Sequence, residues 1–570
     1  MGASFDRVRA EAGERWSALT AGSVPWIRIG DALCGKAAGA DEVTSAIRAE
    51  LESRSIEATV SEVGCLGLCY AEPLVDVTLP GGPRVFYGNV TPSQVPAIVD
   101  SHLVRGEPAA DLAMAYAGED GPEGTPRLED LAMFKGQVRI ALRNSGNVDP
   151  GDIHQYIAGG GYGALHKAVT TMTPEETLEQ VNVSGLRGRG GAAFPTAVKW
   201  GFLARSSDPV KYILCNCEEG DPGAFNDKGI LEGDPHTLLE GMLLAGYATG
   251  SNYGYVFIRH GHDGPIDRTR RAVEQAREMG FIGEDIFGTG FSFQIEVSLT
   301  GDSYVSGEET ALMESIEGSR AMPRFRPPFP AQVGLFGKPS NINNVKTLSY
   351  VPEIIARGGE YFAGIGQERS KGTAILCLSG NLSYTGMVEV PLGVTLREVI
   401  YEVAGGVPNG KALKLLQTGG PLGGVLSADQ LDIPLDFDAM ARAGAILGSG
   451  GIIAADEDTC AVDLTRSLIA FCQFESCGKC FPCRLGMTHL LEMLERICRF
   501  ESVPQDLDLM RQVGSNMQAG SLCGHGQLGF NPVSSALKYF GDEFETHMVE
   551  RRCPTGSCLR PFHAPSRTRR

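Results

Sequence analysis

Four cysteines toward the carboxyl end of the chain have a spacing that suits iron–sulfur chemistry. Cys477, Cys480 and Cys483 form a CxxCxxC run, and Cys523 follows in SLCGHGQLG. Three thiolates at that spacing wrap one corner of a cubane and a remote fourth closes it, as a [4Fe–4S] cluster requires. A structural zinc site or buried free thiols are the alternatives, although zinc sites more usually draw their cysteines from CxxC pairs. The spacing predicts a [4Fe–4S] cluster.

A second set of metal-binding side chains lies in the tail. His547, Cys553 and Cys558 follow one another closely, and Cys460 stands just before the cluster segment. One histidine and three cysteines suit a tetrahedral zinc ion, provided that Cys460 or Cys472 folds back to supply the fourth ligand. The alternative is a disordered tail whose thiols bind no metal.

Two further segments are rich in glycine and charge. Residues 185–195 read GLRGRGGAAFP, and residues 216–223 read NCEEGDPG. Clustered glycines let backbone amides approach a phosphate closely, and an arginine adds positive charge. A strand that ends in carboxylates and glycines is the usual ligand position in an α/β sheet. A flexible turn is the alternative for the first segment.

The composition of the chain limits the functions that these sites can have. The chain has 570 residues, of which 42% are apolar, and its formal net charge is −19. At about 150 residues per domain this length predicts roughly four domains. The negative charge would repel a phosphate backbone, so we expect no nucleic-acid partner.

Apolar windows are short, so we expect no direct membrane span, and the amino terminus lacks the apolar run of an export signal. Fifteen cysteines in an unexported chain argue for metals or free thiols rather than disulfides. We therefore expect a cytoplasmic protein, alone or in a complex that other subunits attach to a membrane.

Hydrophobic periodicity divides the chain into an α/β multidomain arrangement. The predicted parts are a small α/β unit at 24–104, a linker at 105–129, a mixed α/β domain at 130–369, a β-rich module at 370–450, a helical domain at 456–548 and a tail at 549–570.

Five ordered motifs together resemble one family. They are GLRGRGGAAFPTAVKW, NCEEGDPGAFNDKGILEGDPHTLLEGM, YVSGEETALMESIEG, PPFPAQVGLFGKPSNINNVKT and ESCGKCFPCRLG. Over residues 130–548 the chain is similar to the NADH-oxidising flavin subunits of respiratory complex I and of NAD-linked hydrogenases and formate dehydrogenases. The resemblance implies a Rossmann-like FMN domain, a β-grasp ligand-binding-like domain and a four-helix [4Fe–4S] domain.

The resemblance also implies roles for individual residues. Around FMN it places Gly188, Arg189, Gly190, Gly191, Lys199, Asn216, Glu218, Glu219, Asn343, Asn344 and Thr347. Around NADH it places Phe194, Phe202, Phe329, Gly307, Glu308 and Arg326, with Asp221 and Glu309 as the catalytic carboxylates that accept ribose or carboxamide hydrogen bonds. Core packing is the alternative for the three phenylalanines. The two carboxylates favour NADH over NADPH, because they would repel an extra phosphate.

The amino-terminal unit resembles the thioredoxin-like [2Fe–2S] domains of related subunits. Such domains supply four cysteines, whereas this unit has only Cys34, Cys65 and Cys69. A [2Fe–2S] cluster with full cysteine ligation is therefore excluded within the unit. A cluster-free fold used for docking and a cluster completed by an unusual ligand remain as alternatives.

The predicted function is that of an NAD(H):acceptor oxidoreductase subunit, in which hydride passes between NADH and FMN and single electrons then reach the [4Fe–4S] cluster. The expected partners are a small thioredoxin-like [2Fe–2S] subunit and larger catalytic or iron–sulfur subunits. Formate, hydrogen, an aromatic thioester and quinone are all open as terminal substrate. The alternatives are an electron-bifurcating version, which the tail ligands favour, and a non-catalytic scaffold that has lost the flavin.

Overall fold

The computed structural model describes residues 5–559, so the end of the predicted tail, 560–570, lies outside the described residues. The described part contains three large sheets with flanking helices and a helical carboxyl-terminal part. None of the helices within 5–559 is long and apolar enough to cross a membrane.

The amino-terminal part consists of one long helix and a five-stranded sheet with its own helices. These are α1 (Phe5–Thr20), β1 (Trp26–Gly30), α2 (Leu33–Ala38), α3 (Ala40–Ser53), β2 (Thr59–Val63), β3 (Val75–Thr78), β4 (Arg84–Tyr87), α4 (Val95–Ile98) and β5 (Ala113–Ala117). The strand order is β2-β1-β3-β4-β5, with β1 parallel to β2 and the other neighbours antiparallel. Ile29 on β1 packs in one core with Val43 and Ile47 on α3, at the spacing of a helix face.

The predicted linker at 105–129 is wrong at its centre. Strand β5 pairs with β4 there, with Arg84 opposite Ala117, and completes the edge of the sheet. Gly118 and Gly124 have φ values of 104° and 79°, so they turn the chain after the strand instead of preventing it.

Helix α1 lies outside every predicted domain, yet it packs on the central part of the molecule. The ring of Phe5 stacks on His166 with centres 4.7 Å apart, and Phe5 and Val8 belong to the central core. The amino terminus therefore joins the predicted first and second domains.

The central part is a four-stranded parallel sheet covered by helices. Its elements are α5 (Ile153–Ala158), α6 (Gly163–Thr171), α7 (Pro174–Val183), α8 (Thr196–Ala204), β6 (Tyr212–Cys217), α9 (Asn226–Gly233), α10 (Pro235–Thr249), β7 (Tyr253–Arg259), α11 (Asp263–Glu278), β8 (Gln294–Thr300), α12 (Glu309–Ile316), β9 (Ser340–Asn344), α13 (Val345–Ser349), α14 (Val351–Arg357) and α15 (Gly359–Ala363). The order β8-β7-β6-β9 brings the carboxyl ends of β6 and β9 side by side. Ligands bind at this edge in open α/β sheets.

The third part is a mixed sheet beside the central one. Its elements are β10 (Gly366–Gln367), β11 (Ser370–Lys371), β12 (Thr373–Gly380), β13 (Gly386–Pro391), β14 (Leu413–Thr418), β15 (Val425–Ser427), α16 (Phe437–Ala443) and β16 (Gly451–Asp456). The large sheet has the order β13-β12-β16-β14-β15. Since β16 lies between β12 and β14, the module must extend to residue 456, and the predicted end at 450 is too early.

The carboxyl-terminal part is helical. Its elements are α17 (Ala461–Phe474), α18 (Phe481–Cys498), α19 (Asp506–Gly520), α20 (Gly524–Gln527) and α21 (Asn531–Glu545). Leu490, Leu494 and Ile497 recur along one face of α18 and are buried in the core that the helices share. Four long helices and the short α20 form this part, where the periodicity predicts a helical domain and the resemblance implies four helices.

Candidate functional site

The end of β6 is tied to the turn before α12. Asn216 donates from Nδ2 to the carbonyl of Gly307 at 2.8 Å, and its Oδ1 accepts the amide of Glu218 at 3.0 Å. The two acidic segments that the sequence singled out, around residues 218 and 308, therefore lie against each other at the carboxyl edge of the parallel sheet, and we call this region the cleft because ligands bind there in open α/β sheets.

Glu218 and Glu219 follow the strand and have different surroundings. Glu218 pairs with Arg259 at 2.5 Å, yet burial outweighs this cation and raises the pKa of Glu218 to about 8. Glu219 accepts the amides of Asp227 and Lys228 at the start of α9, both at 2.9 Å. Its carboxylate is thus committed to the protein backbone, whereas Glu218 sits at the balance between neutral and charged near neutral pH.

Asp221 connects three distant segments. It accepts hydrogen bonds from the hydroxyls of Tyr304 at 2.7 Å and Ser449 at 2.8 Å. Burial raises the pKa of Asp221 above the ordinary aspartate value, while the two hydroxyls oppose that shift. Neither hydroxyl was singled out from the sequence, because both contacts depend on tertiary structure.

Glu309 stands between two cations. Lys199 Nζ lies 3.0 Å from one of its oxygens and Arg326 Nη1 lies 2.7 Å from the other. Burial works to raise the pKa of Glu309, but the two cations outweigh it and hold the pKa below the ordinary range. Glu308 instead caps α12 by accepting the amides of Thr310 and Ala311.

The glycine loop lies against the end of β9. A Cβ on Gly190 would be 3.0 Å from the Cβ of Asn344, so the loop backbone approaches this strand as closely as glycine permits. Asn344 itself donates to Asp227, and Asn343 accepts the indole N–H of Trp200 at 2.8 Å.

Arg189 has a different place from the one predicted for it. Its backbone amide donates to Thr347 at 2.9 Å, which does bring two predicted residues together. Its buried guanidinium, however, donates to the carbonyls of Arg187, Lys371 and Thr373. With three of its N–H groups so engaged, the side chain holds the loop to the third sheet, and we assign it no phosphate.

The three predicted phenylalanines are exposed. Phe194, Phe202 and Phe329 expose 48%, 46% and 54% of their surface. The alternative that they pack in a core is therefore wrong. Phe202 lies one helical turn after Lys199 and Phe329 three residues after Arg326, so both flank the cations that hold Glu309.

The cleft fits a bound polar ligand. The hydroxyl of Thr196, at the start of α8, and both polar atoms of the Asn341 side chain, on β9, are buried without a hydrogen-bond partner. Buried polar groups are nearly always satisfied in folded proteins. Thr196 directly follows the glycine loop in the chain, so its unpartnered hydroxyl and the close backbone approach at Gly190 are features that an FMN pocket would present.

All four predicted cluster cysteines line one small cavity, together with Val305, Pro323, Ser476, Lys479, Leu522 and His525. Burial raises the pKa of Cys483 to about 12 and that of Cys523 to about 11, so without a bound cation these two would stay neutral thiols. Within residues 5–559, the sets of thiols close enough for a single ion do not include these four. The cavity therefore suits a cluster better than one ion.

The cavity and the cleft share a wall. Tyr304, which donates to Asp221, packs edge-on against His525 with ring centres 5.8 Å apart. His525 is one of the residues that line the cysteine cavity, and its Nε2 lies 2.8 Å from the carbonyl oxygen of Cys472.

The predicted zinc ligands also come together. Single ligand atoms of Cys460, His547, Cys553 and Cys558 all lie within 4.8 Å of one another. Nδ1 of His547 is 2.7 Å from the carbonyl of Glu543, which can only accept, so this nitrogen carries the proton and Nε2 is left for a metal. Cys472, the other candidate for fourth ligand, is buried beside the cluster cavity instead.

Two family models match the chain. The Nuo51 FMN-binding domain matches residues 181–353, and the NADH-ubiquinone oxidoreductase-F iron–sulfur binding region matches residues 463–547.

Among curated proteins, the chain is 46% identical over 424 residues to the NADP-reducing hydrogenase subunit HndC of Solidesulfovibrio fructosivorans, covering 74% of this chain and 86% of the relative. It is 43% identical over 415 residues to an NADH-quinone oxidoreductase subunit of Rhizobium meliloti, covering 73% and 99%. Among solved structures, a chain of an NAD⁺-reducing [NiFe]-hydrogenase in the H₂-reduced state is similar with a TM-score of 0.65 and 26% identity, covering 95% of this chain and 90% of that one.

Proposed function

The chain belongs to the family of NADH-oxidising flavin subunits that contain the Nuo51 FMN-binding domain and the NADH-ubiquinone oxidoreductase-F iron–sulfur region, and from this membership we propose how its residues divide the work. It is an NADH dehydrogenase-type oxidoreductase subunit with FMN and a [4Fe–4S] cluster as cofactors and NAD(H) as substrate. When bound, FMN accepts a hydride and can release the two electrons singly, as the cluster needs. The residue roles below are our proposal.

Residues around the end of β9 hold FMN. The backbone of Gly188–Gly191 approaches the phosphate, and Asn216, Asn343, Asn344 and Thr347 position the loop and the strand end. The support for this assignment is the close approach at Gly190 and the unpartnered hydroxyl of Thr196, directly after the loop. Residues 130–369 would then form the Rossmann-like FMN domain.

Exposed aromatic rings and charged groups hold NADH. A flat ring that covers an exposed phenylalanine removes apolar surface from water and adds a favourable contact between the rings. Phe194, Phe202 and Phe329 would therefore sandwich the nucleotide. Glu309, kept charged by its two cations, accepts hydrogen bonds from hydroxyl groups of the substrate. Asp221 does the same from the other side of the cleft.

The observation that carries the electron-transfer proposal is the shared wall between the cleft and the cysteine cavity. Asp221, Tyr304 and His525 form a continuous contact from the nucleotide side to the cluster side. The protein's task is to fix the separation of the two cofactors and to exclude water between them.

Electrons leave toward a partner chain. Phe474 and Phe481 precede and follow the first cluster cysteines and expose 76% and 66% of their surface, and Phe325, with 74% exposed, faces Lys479. Exposed apolar side chains grouped in this way mark a protein-binding surface. We assign it to an electron-accepting subunit, either the small thioredoxin-like [2Fe–2S] chain or a larger iron–sulfur chain.

The tail holds zinc in this proposal. Cys460 caps the start of α17 and His547 follows α21, so an ion bound by both would fix the two ends of the helical part to each other. Because this ligand set resembles that of bifurcating flavin subunits, its assembly keeps electron bifurcation as the second candidate function.

An anaerobic NADH titration of the purified chain, followed by visible absorption, tests the proposal. We expect both the flavin band and the broad iron–sulfur absorption to fall, and about 1.5 equivalents of NADH to complete the change, because FMN takes two electrons and the cluster one. A protein that binds neither FMN nor iron after reconstitution would refute the proposal and support the non-catalytic scaffold.

A further inference from the structure

Three cysteines of the amino-terminal part converge on one point. Cys34 lies in α2, and Cys65 and Cys69 lie in the loop after β2. Their sulfur atoms all lie within 4.8 Å of one another, with Cys65 and Cys69 3.7 Å apart. Nothing in the electron-transfer role uses these thiols.

The spacing of the sulfur atoms distinguishes one ion from two. In a [2Fe–2S] cluster the ligands divide between two irons, and the two pairs stand well apart. A tetrahedral ion with metal–sulfur bonds of about 2.3 Å brings its sulfur ligands within about 3.8 Å of each other. All three thiols are close enough to share one ion, which is the second arrangement.

A buried carboxylate lies beside Cys34, at the edge of the group of three thiols. Glu72 is 6% exposed, and its Oε1 lies 3.8 Å from the sulfur of Cys34. Its Oε2 accepts the amide of Leu74 at 2.8 Å, which fixes the orientation of the carboxylate and leaves Oε1 toward the thiols.

Glycine makes room for this carboxylate. A Cβ on Gly30, the last residue of β1, would come 2.7 Å from Oε2 and 2.9 Å from Oε1 of Glu72. Any side chain at position 30 would therefore displace the glutamate from the thiols.

The surrounding charge is predominantly acidic. Asp31 is buried beside the site, and Glu232 of the central part accepts the amide of Leu33 at the start of α2. Arg268 pairs with Asp31 at 2.9 Å. Lys36 also pairs with Asp31, at 3.3 Å, whereas Glu72 makes no ion pair within residues 5–559. Because a buried carboxylate is costly unless it is paired or binds a metal, a divalent cation among the three thiols would stabilise Glu72.

The site lies where the amino-terminal part meets the rest of the molecule. A Cβ on Gly64 would be 2.3 Å from the Cα of Gly233 in α9, so the two backbones are in direct contact. Arg139 donates to the carbonyl of Leu66, between Cys65 and Cys69, at 2.8 Å. An ion here would fix the loop that forms this contact.

We propose that Cys34, Cys65 and Cys69 bind one divalent ion, Zn²⁺ by the chemistry of the donors, as a structural link between the amino-terminal part and the central part. The three thiolates supply three positions of a tetrahedral site, and Glu72, the carboxylate in contact with Cys34, is the candidate for the fourth. Binding would release the protons of the thiols.

Zinc and iron content of the full chain, purified anaerobically, tests the proposal. We expect Cys65→Ser and Glu72→Gln each to lower zinc by up to one equivalent per chain, with iron and flavin unchanged. Cys553→Ser is the matched control, because it affects only the tail site. The zinc lost in this variant and the zinc lost in Cys65→Ser should add in the double variant. Unchanged zinc in Cys65→Ser, or the loss of two irons with sulfide, would overturn the proposal.

A second measurement needs no variant and covers the case in which Cys65→Ser does not fold. The wild-type chain is alkylated before and after treatment with a zinc chelator, and the modified cysteines are mapped by mass spectrometry. We expect Cys34 and Cys69, which are partly exposed, to react only after chelation, while buried Cys215 stays unmodified throughout. Equal labelling of Cys34 and Cys69 in both samples would contradict a bound ion.

Discussion

Tyr304 contacts both sides of the wall between the nucleotide cleft and the cluster cavity: its hydroxyl donates to Asp221 at 2.7 Å and its ring packs edge-on against His525. The hydroxyl and the ring can be separated by mutation. Replacing the tyrosine by phenylalanine removes only the first contact.

We therefore expect Tyr304→Phe to raise the KM for NADH about tenfold, because a hydrogen bond to a charged group contributes about 1.5 kcal/mol. The loss should be larger at lower pH, since without this donor the pKa of Asp221 rises further and its carboxylate protonates earlier. Steady-state kinetics from pH 6 to 8 measures this. Tyr247→Phe, whose hydroxyl donates to Met172 elsewhere, is the control; an equal effect of both changes would contradict the role of Tyr304.

Glu309→Gln removes the charge that Lys199 and Arg326 share, and leaves the two cations facing the cleft. We expect about tenfold weaker NADH binding. We also expect a smaller preference for NADH over NADPH, because the carboxylate of Glu309 would no longer repel the extra phosphate of NADPH. Binding of both nucleotides is measured by flavin reduction. Glu314→Gln, which breaks a pair with Arg324, is the control. An unchanged NADH affinity would exclude Glu309 from the binding site.

Glu218 makes stability depend on pH. Its pKa is raised to about 8 by burial, so between its ordinary value and pH 8 the folded chain holds a proton that the unfolded chain has lost. This contribution to the free energy of unfolding falls as the pH rises through that range, by at most about 1.4 kcal/mol per pH unit. Glu218→Gln imitates the protonated form and should lack this contribution.

Thermal unfolding of wild type and Glu218→Gln at pH 6 and pH 8 measures the difference. We expect the difference in stability, variant minus wild type, to be more favourable to the variant at pH 8 than at pH 6. Other buried carboxyls titrate in both proteins and cancel in this comparison. A constant difference between the two pH values would show that Glu218 does not titrate there.

Cys480→Ser should remove the iron–sulfur signal while NADH still reduces the flavin, because Cys480 lines the cluster cavity and not the nucleotide cleft. Iron content and electron paramagnetic resonance of the reduced protein check this. Cys215→Ala, a buried cysteine of the central sheet, should keep both signals. A full complement of iron in Cys480→Ser would remove this residue from the ligand set.

Phe474 and Phe481 together provide a test of the docking surface. We expect the double change to alanine to slow electron transfer to the physiological partner at least tenfold and to leave reduction of a small artificial acceptor unchanged, since exposed rings contribute to binding and not to the cofactor sites. Leu509→Ala, also exposed in the helical part, is the control. Partner-dependent rates equal to wild type would place the docking surface elsewhere.

Much of the candidate site could be predicted from the sequence, because several of its residues lie close together along the chain. Cys477, Cys480 and Cys483 are neighbours along the chain, so their convergence follows from one turn into α18, and the structure adds Cys523 to the same cavity. Only the structure distinguishes Cys460 from Cys472 as the fourth ligand, because the sequence does not show that Cys460 caps the start of α17 and that Cys472 lies within it.

Contacts between distant segments could not be predicted. Ser449 reaches Asp221 across more than two hundred residues, and no pattern in either segment indicates it. Strand β5 was missed because its glycine-rich surroundings suggest a loop, although pairing with β4 supplies the hydrogen bonds that make it a strand. The contacts of the Arg189 side chain could not be predicted for a related reason: two of its three acceptors, the carbonyls of Lys371 and Thr373, lie 182 and 184 residues away along the chain.

The contact of Gly64 with Gly233 also bears on how this architecture can be recombined. Because a side chain at position 64 would collide with the backbone of Gly233, the central part constrains the sequence of the amino-terminal part at this position. A chimera that takes its amino-terminal part from another member of the family should assemble correctly only if the donor has glycine at the position equivalent to 64, however similar the two folds are.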